Sequence, residues 1–217
     1  MDIIEFIRKT PKAELHLHIE GTLEPDHMFL LAKRNNIQIP FTNVNDVKSA
    51  YNFSNLESFL KIFYQGSKVL VKEQDFFDLT WAYALKCKAN NVVHAEIFFD
   101  PQTHVNRGIS FDTVINGIYK ALQKANKEFG LTFEIIMCFL RHLDEASGFE
   151  MLDRAFAHKE KIIAVGLDSS EIDNPPSKFK KLFEKAMTKG FLTVAHAGEE
   201  GPPEYIWEAL DLLKVKR

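Results

Sequence analysis

VVHAEIFFDP (Val92–Pro101), FDTVINGIYKALQKANKEFG (Phe111–Gly130) and LTFEIIMCFL (Leu131–Leu140), read together, decide the fold. The first run is a strand, Val92–Phe99, stopped by Asp100-Pro101, because a residue before proline is pushed out of regular geometry. Phe111–Phe129 reads as a helix with Gly130 as its C-terminal stop. Leu131–Leu140 is again a strand. Strand, helix, strand in this order is a parallel βαβ unit, and strands apolar on both faces expect cover on both sides.

The same alternation extends both ways. Upstream, Ala13–Ile19 is a strand ending near Gly21, and Pro25–Arg34 is a helix with proline early, where a missing N–H costs little. Asn35–Asn91 holds no convincing strand. Inside it, Asn55–Leu70 carries Leu56, Phe59, Leu60 and Phe63 at helical spacing, and Asp75–Ala89 repeats the pattern. Downstream come helix Glu145–His158, strand Ile162–Leu167, helix Pro176–Lys189, strand Phe191–His196 and helix Pro203–Leu213. A sixth strand is expected to start at Val215-Lys216-Arg217. The fold class is therefore α/β, either a doubly wound sheet or a (β/α) barrel. No GxGxxG follows the first strand, which weakens the dinucleotide-binding version. No repeat or linker divides residues 1–217, so a single domain is expected.

Composition narrows the function classes. The 217 residues are 46% hydrophobic and 26% charged, which excludes disorder. A net charge of -3 argues against a nucleic-acid partner. The apolar runs are strand-sized, far below the ~20 residues of a membrane helix, so no membrane partner is expected. Two cysteines, Cys87 and Cys138, make neither a disulfide framework nor a CxxC pair, and a cytoplasmic, reducing setting is the simpler reading.

In both architectures the chemistry belongs at the C-terminal strand ends. The first strand ends in Glu14-Leu15-His16-Leu17-His18. Residues two apart on a strand share a face, so His16 and His18 offer two imidazoles to one point, which suits a divalent metal. The fifth strand ends in His196, a third nitrogen from a different strand, with Glu199 three residues on. Alone, each has an ordinary reading as a core histidine or a solvated loop acid; together at strand ends they point to a metal site. The fourth strand ends in Gly166-Leu167-Asp168. Gly166 either lets a flat ligand approach the backbone or makes a tight bend. Asp168 either contacts ligand or organises its loop.

These residues carry a resemblance. PKAELHLHIEGTLEP (Pro11–Pro25) and TVAHAGEEGPPEYIWEAL (Thr193–Leu210) resemble the first-strand and fifth-strand signatures of the adenosine/adenine deaminase family. EIFFDPQTHVNRGI (Glu96–Ile109) and VGLDSSEIDNPPSKF (Val165–Phe179), with Ser169-Ser170 after the Asp, are similar to the adenine branch. The resemblance implies a (β/α)8 TIM-type barrel with extra helices near the mouth, which accounts for Asn35–Asn91. It implies one Zn2+ per site on His16, His18 and His196, Glu199 as proton donor, and Gly166 and Asp168 as substrate-binding residues. The implied reaction is hydrolytic deamination of a 6-aminopurine, adenine to hypoxanthine and ammonia, in purine salvage, with a small-molecule purine as partner. Phenylalanines of Asn55–Phe63 can help close the pocket, with a plain core role the more ordinary reading for most of them.

The family barrel also carries a His on its sixth strand and an Asp-Asp pair on its eighth. Five strands and the start of a sixth lie within these residues, so the resemblance marks the chain as an incomplete barrel, the N-terminal portion of a longer enzyme. By itself such a chain is expected to self-associate through exposed barrel edges and to be inactive or nearly so. Three alternatives stay open. One is specificity for adenosine. Another is a two-metal hydrolase on the same barrel, disfavoured because Ile162–Leu167 offers no Lys or acid before Asp168. The third is a non-catalytic zinc- or purine-binding fragment.

Overall fold

Five strands pair in chain order, every neighbour parallel: β1 (Lys12–His18), β2 (Val92–Phe99), β3 (Thr132–Leu140), β4 (Ala164–Asp168) and β5 (Leu192–Thr193). The computed structural model describes residues 2–217. Among the described residues ten helices connect or flank the strands: α1 (Ile3–Lys9), α2 (Pro25–Asn35), α3 (Val44–Ala50), α4 (Leu56–Ser67), α5 (Glu73–Ala89), α6 (Pro101–Val105), α7 (Phe111–Phe129), α8 (Glu145–Ala157), α9 (Lys180–Thr188) and α10 (Pro203–Asp211). Single 3-10 turns sit at Ile19–Thr22 and Pro176–Phe179. β1 and β5 are not joined, so among the described residues the barrel-type sheet stays open.

The period-two alternation of each strand splits its side chains between two layers. Ile97, Phe99, Ile135, Met137, Phe139, Val165 and Leu167 face outward into the core made with the helices. Phe98, Ile136, Cys138, Ala164 and Val194 form a separate cluster on the inner face. That alternation puts His16, His18, Asp168 and His196 on the inner face as well. Local signals fix the helix ends. Ser110 caps α7 by accepting from Thr113 N at 3.1 Å, and Gly130 ends it at φ +76°. α5 and α7 approach closely at Gly117, where a Cβ would come within 2.5 Å of Glu73 O.

Most expected elements are present within a residue or two, and three differences matter. The regular part of β5 is only two residues long, not Phe191–His196. The parallel ladder nevertheless continues, with Val194 N donating to Val165 O at 3.0 Å and His196 N to Leu167 O at 2.9 Å. The sixth strand expected at Val215–Arg217 is not a regular strand, although Lys216 N donates to Thr193 O at 2.7 Å and Ala195 N to Arg217 O at 3.2 Å. α1, α3 and α6 are short helices that periodicity over so few residues does not reveal. No helix among the described residues is long and apolar enough to cross a membrane.

Candidate active site

β1 delivers His16 and His18 side by side, both stacked on Phe98 of β2 with ring centroids 4.6 and 5.0 Å away. The ladder from β4 delivers His196. The three Nε2 atoms form a triangle with edges of 2.9 Å (His16–His196), 3.1 Å (His18–His196) and 3.3 Å (His16–His18). An Nε2–Nε2 contact is a hydrogen bond only when one nitrogen carries a proton and the other does not. Around a triangle that condition holds for at most two edges, so one contact is always repulsive without a cation. Zn–N bonds of about 2.0–2.1 Å in tetrahedral geometry give an edge of about 3.3 Å, close to the spacing seen. The residues present therefore fit a divalent metal.

The outer nitrogens support the same tautomer. His18 Nδ1 lies 3.3 Å from Asp168 Oδ2, and His196 Nδ1 lies 3.3 Å from Glu199 Oε2. A proton on each Nδ1 leaves each Nε2 as a free lone pair, the form that ligates metal. Burial, then the neighbouring His196 and His16, pull the His18 imidazole down to about 3. Burial lowers His16 too. His196 is also pulled down by burial, but the Glu199 hydrogen bond and the Asp168 charge outweigh this and raise it. His18 and Asp168 are thus a neutral imidazole beside a carboxyl, not an ion pair.

Behind the histidines lies a buried acidic layer. Asp100, at the end of β2, and Asp168 are both pushed up, chiefly by burial, and Asp100 further by the charges of Asp168 and Glu20. Glu20 Oε1 accepts from Asp100 N at 3.1 Å and pairs with His104 Nε2 at 3.0 Å. His104 Nδ1 in turn lies 2.9 Å from Arg107 Nη2, and Arg107 donates to the carbonyls of Ser67, Lys68 and Leu70 at the end of α4.

A second arginine follows β3 and is more deeply placed than Arg107. Arg141, directly after β3, is fully buried. Its Nη1 donates to His196 O at 2.8 Å and its Nε to Asn174 O at 2.9 Å. Nη1 lies 3.5 Å from Glu171 Oε1. Burial pushes the Glu171 carboxyl up, but backbone N–H groups and Arg141 outweigh it and hold it below the usual range.

The histidines open into a cavity of about 280 Å³, walled by Phe59, Phe63 and Tyr64 of α4 and rimmed by Glu199. Tyr64 Oη is 2.7 Å from Ser169 Oγ, which also pairs with His142 Nδ1 at 2.8 Å. Phe59 and Phe63 thus line the cavity, the pocket role rather than the core role favoured for most phenylalanines of this stretch. His16, His18, His196, Asp168 and Glu199 all reach this cavity, but Gly166 does not. Its missing side chain faces inward, where a Cβ would come within 2.6 Å of Cys138 Sγ and 3.3 Å of Val194 Cγ2. Gly166 is small because the inner layer is tight there. Asp100, Arg141, Glu171 and Tyr64 were not singled out in the sequence. Asp100 and Arg141 carry the strand-end signal, standing directly after β2 and β3; Glu171 and Tyr64 carry none.

The chain belongs to the adenosine deaminase family, whose model matches residues 11–217. It is 60% identical over 217 residues to an adenine deaminase of Acinetobacter baylyi, covering 100% of this chain and 65% of that protein. It is 59% identical over 213 residues to an adenine deaminase of Wolinella succinogenes, covering 98% of this chain and 64% of that one. The chain thus spans about 65% of the length of the curated relatives it matches. Among solved structures, the adenine deaminase from Arthrobacter aurescens superposes with a TM-score of 0.92 at 47% identity, covering 95% of this chain and 63% of that one. An amidohydrolase from Burkholderia ambifaria with bound zinc gives a TM-score of 0.90 at 28% identity, covering 98% and 59%.

Proposed function

We propose that these residues form the metal-holding side of a hydrolytic deaminase whose substrate is a 6-aminopurine, adenine first. The observation that carries the reading is the nitrogen triangle of His16, His18 and His196, opening into a cavity with an aromatic wall and an acid at its rim. The two adenine deaminase relatives and the zinc in the Burkholderia ambifaria amidohydrolase support the substrate and the metal. Held by these three nitrogens, Zn2+ would act as a Lewis acid that makes water a nucleophile near neutral pH.

The chain's own residues do the rest. Phe59, Phe63 and Tyr64 cover a flat base and keep bulk water away. Asp168 fixes the His18 tautomer through Nδ1, with Asp100 behind it. Glu199 gives a proton to the ring nitrogen next to C6 as a water oxygen adds there, so negative charge does not build on the ring. The C6–N bond then breaks and the nitrogen leaves as ammonia. Adenine and water become hypoxanthine and ammonia, with no proton left over. Cytoplasmic purine salvage, and association of copies of this chain through the unpaired strand edges, belong to the same proposal.

The test is Glu199→Gln, assayed by the ultraviolet change from adenine to hypoxanthine in a deaminating preparation that contains this chain. Metal content should stay at the wild-type level while turnover falls by about 10²–10⁴-fold, the range for a lost proton donor. Unchanged turnover would remove Glu199 from the chemistry.

A further inference from the structure

Glu199 stands on a surface loop, and a surface loop does not hold a carboxylate in place by itself. Residues Gly198, Glu199 and Glu200 are exposed, and Gly198 adopts φ +77°. Yet three of the loop's backbone donors converge on one buried side chain. Glu171 Oε1 accepts from Gly198 N at 2.7 Å, and Oε2 accepts from Glu200 N and Gly201 N, both at 2.8 Å. The Glu171 side chain is fully buried and does not line the cavity, so it has no path to substrate or metal.

The surroundings are shaped to this carboxylate. At Gly201 a Cβ would come within 2.9 Å of Glu171 Cδ and 2.5 Å of Tyr205 Cδ2, so only glycine leaves room for the clasp. Arg141 supplies the compensating charge at 3.5 Å and lies over the Tyr205 ring, 5.9 Å from its centroid. The same guanidinium holds His196 O at 2.8 Å. One buried ion pair therefore grips the chain at His196 and on both sides of Glu199.

We propose that Glu171 is a positioning residue: clamped by Arg141, it gathers the amides of Gly198, Glu200 and Gly201 and so sets where the Glu199 carboxylate stands beside His196. The role rests on the proton-donor reading of Glu199. Glu171 takes no part in bond making and leaves the three metal-binding nitrogens untouched. Its value lies in geometry, since a misplacement of about 1 Å in a reacting group costs on the order of 10²-fold in rate.

The experiment is a double-mutant cycle with Glu171→Gln and Glu199→Gln in the deaminating protein, alongside amide hydrogen exchange. Glu171→Gln conserves shape but replaces one acceptor oxygen with a donor. It should speed exchange at Gly198, Glu200 and Gly201 by at least about 10-fold and cut turnover per bound metal by about 10²-fold, with metal content unchanged. Combined with Glu199→Gln it should slow the enzyme no further than Glu199→Gln alone, because both changes remove the same placed acid. Multiplicative losses, or unchanged exchange at the three amides, would overturn the proposal. Where Glu171→Gln does not fold, Glu171→Asp, which keeps charge and both acceptors on a shorter arm, should give the same non-additive pattern with a smaller loss. The exchange measurement does not need turnover. If wild-type protein fails to deaminate adenine, the substrate reading fails while the clasp on the loop is still judged by exchange.

Discussion

Arg107 and Arg141 each hold backbone that borders the cavity, and they grip by different means. Arg141 is sealed from water, paired with the carboxylate of Glu171, and grips the backbone of His196. Arg107 is only partly buried and has no carboxylate partner: it grips His104 Nδ1, Thr103 O and, at the end of α4, the carbonyls of Ser67, Lys68 and Leu70. The first fixes the floor, where His196 and Glu199 stand. The second fixes one end of the cover. The other end of α4 is tied down by an exposed bond from Leu56 N to Glu200 Oε1 at 3.0 Å. The floor hangs on a dry ion pair, and the cover hangs on an arginine that water reaches and on one exposed bond.

The contrast breaks if the two arginines prove equivalent. Arg141→Met leaves Glu171 as an unpaired buried charge and should destabilise the fold by roughly 3–5 kcal/mol, read from the thermal or denaturant midpoint. Arg107→Met frees the carbonyls of Thr103, Ser67, Lys68 and Leu70 and the ring nitrogen of His104 but leaves no buried carboxylate without its cation, and the expected loss is smaller, about 1–2 kcal/mol. Equal losses would mean that the floor and the cover are held alike.

A smaller effect sharpens the Arg107 side. His104 is fully buried between Arg107 and Glu20; burial pulls its imidazole below 6.5, with Glu20 acting against that pull. The folded state therefore favours the neutral ring, and the unfolded state binds more protons as the pH drops. Stability from this group is fully present above about 6.5 and declines as pH falls below that value. His104→Gln should flatten the acid-side fall of the thermal midpoint relative to wild type, and an unchanged slope would contradict the assignment.

How much of this was legible follows from what kind of pattern each feature leaves. β2, α7 and β3 are legible because they are long, periodic and closed by Asp100-Pro101 and Gly130. The histidines are legible because two of them share a strand face and the third ends another strand. The sequence pattern extends β5 to His196 because that stretch keeps ladder hydrogen bonds without regular strand geometry. Gly166 is only half legible: a glycine near a strand end looks alike whether it makes room for a ligand or for an inner-face neighbour such as Cys138. Glu171 and Arg141 lie 30 positions apart in the chain and meet only through the fold, and Tyr64 reaches Ser169 across 105 positions. Periodicity cannot register such pairs, because nothing local marks the partner.

The central claim is that His16, His18 and His196 form one metal site, and a zinc titration with a competing chelator tests it most directly. The predicted result is one tightly bound ion per chain, lost when His18→Ala or His196→Ala removes a corner of the triangle. Absence of binding by the wild-type chain, or undiminished binding after both substitutions, would contradict it.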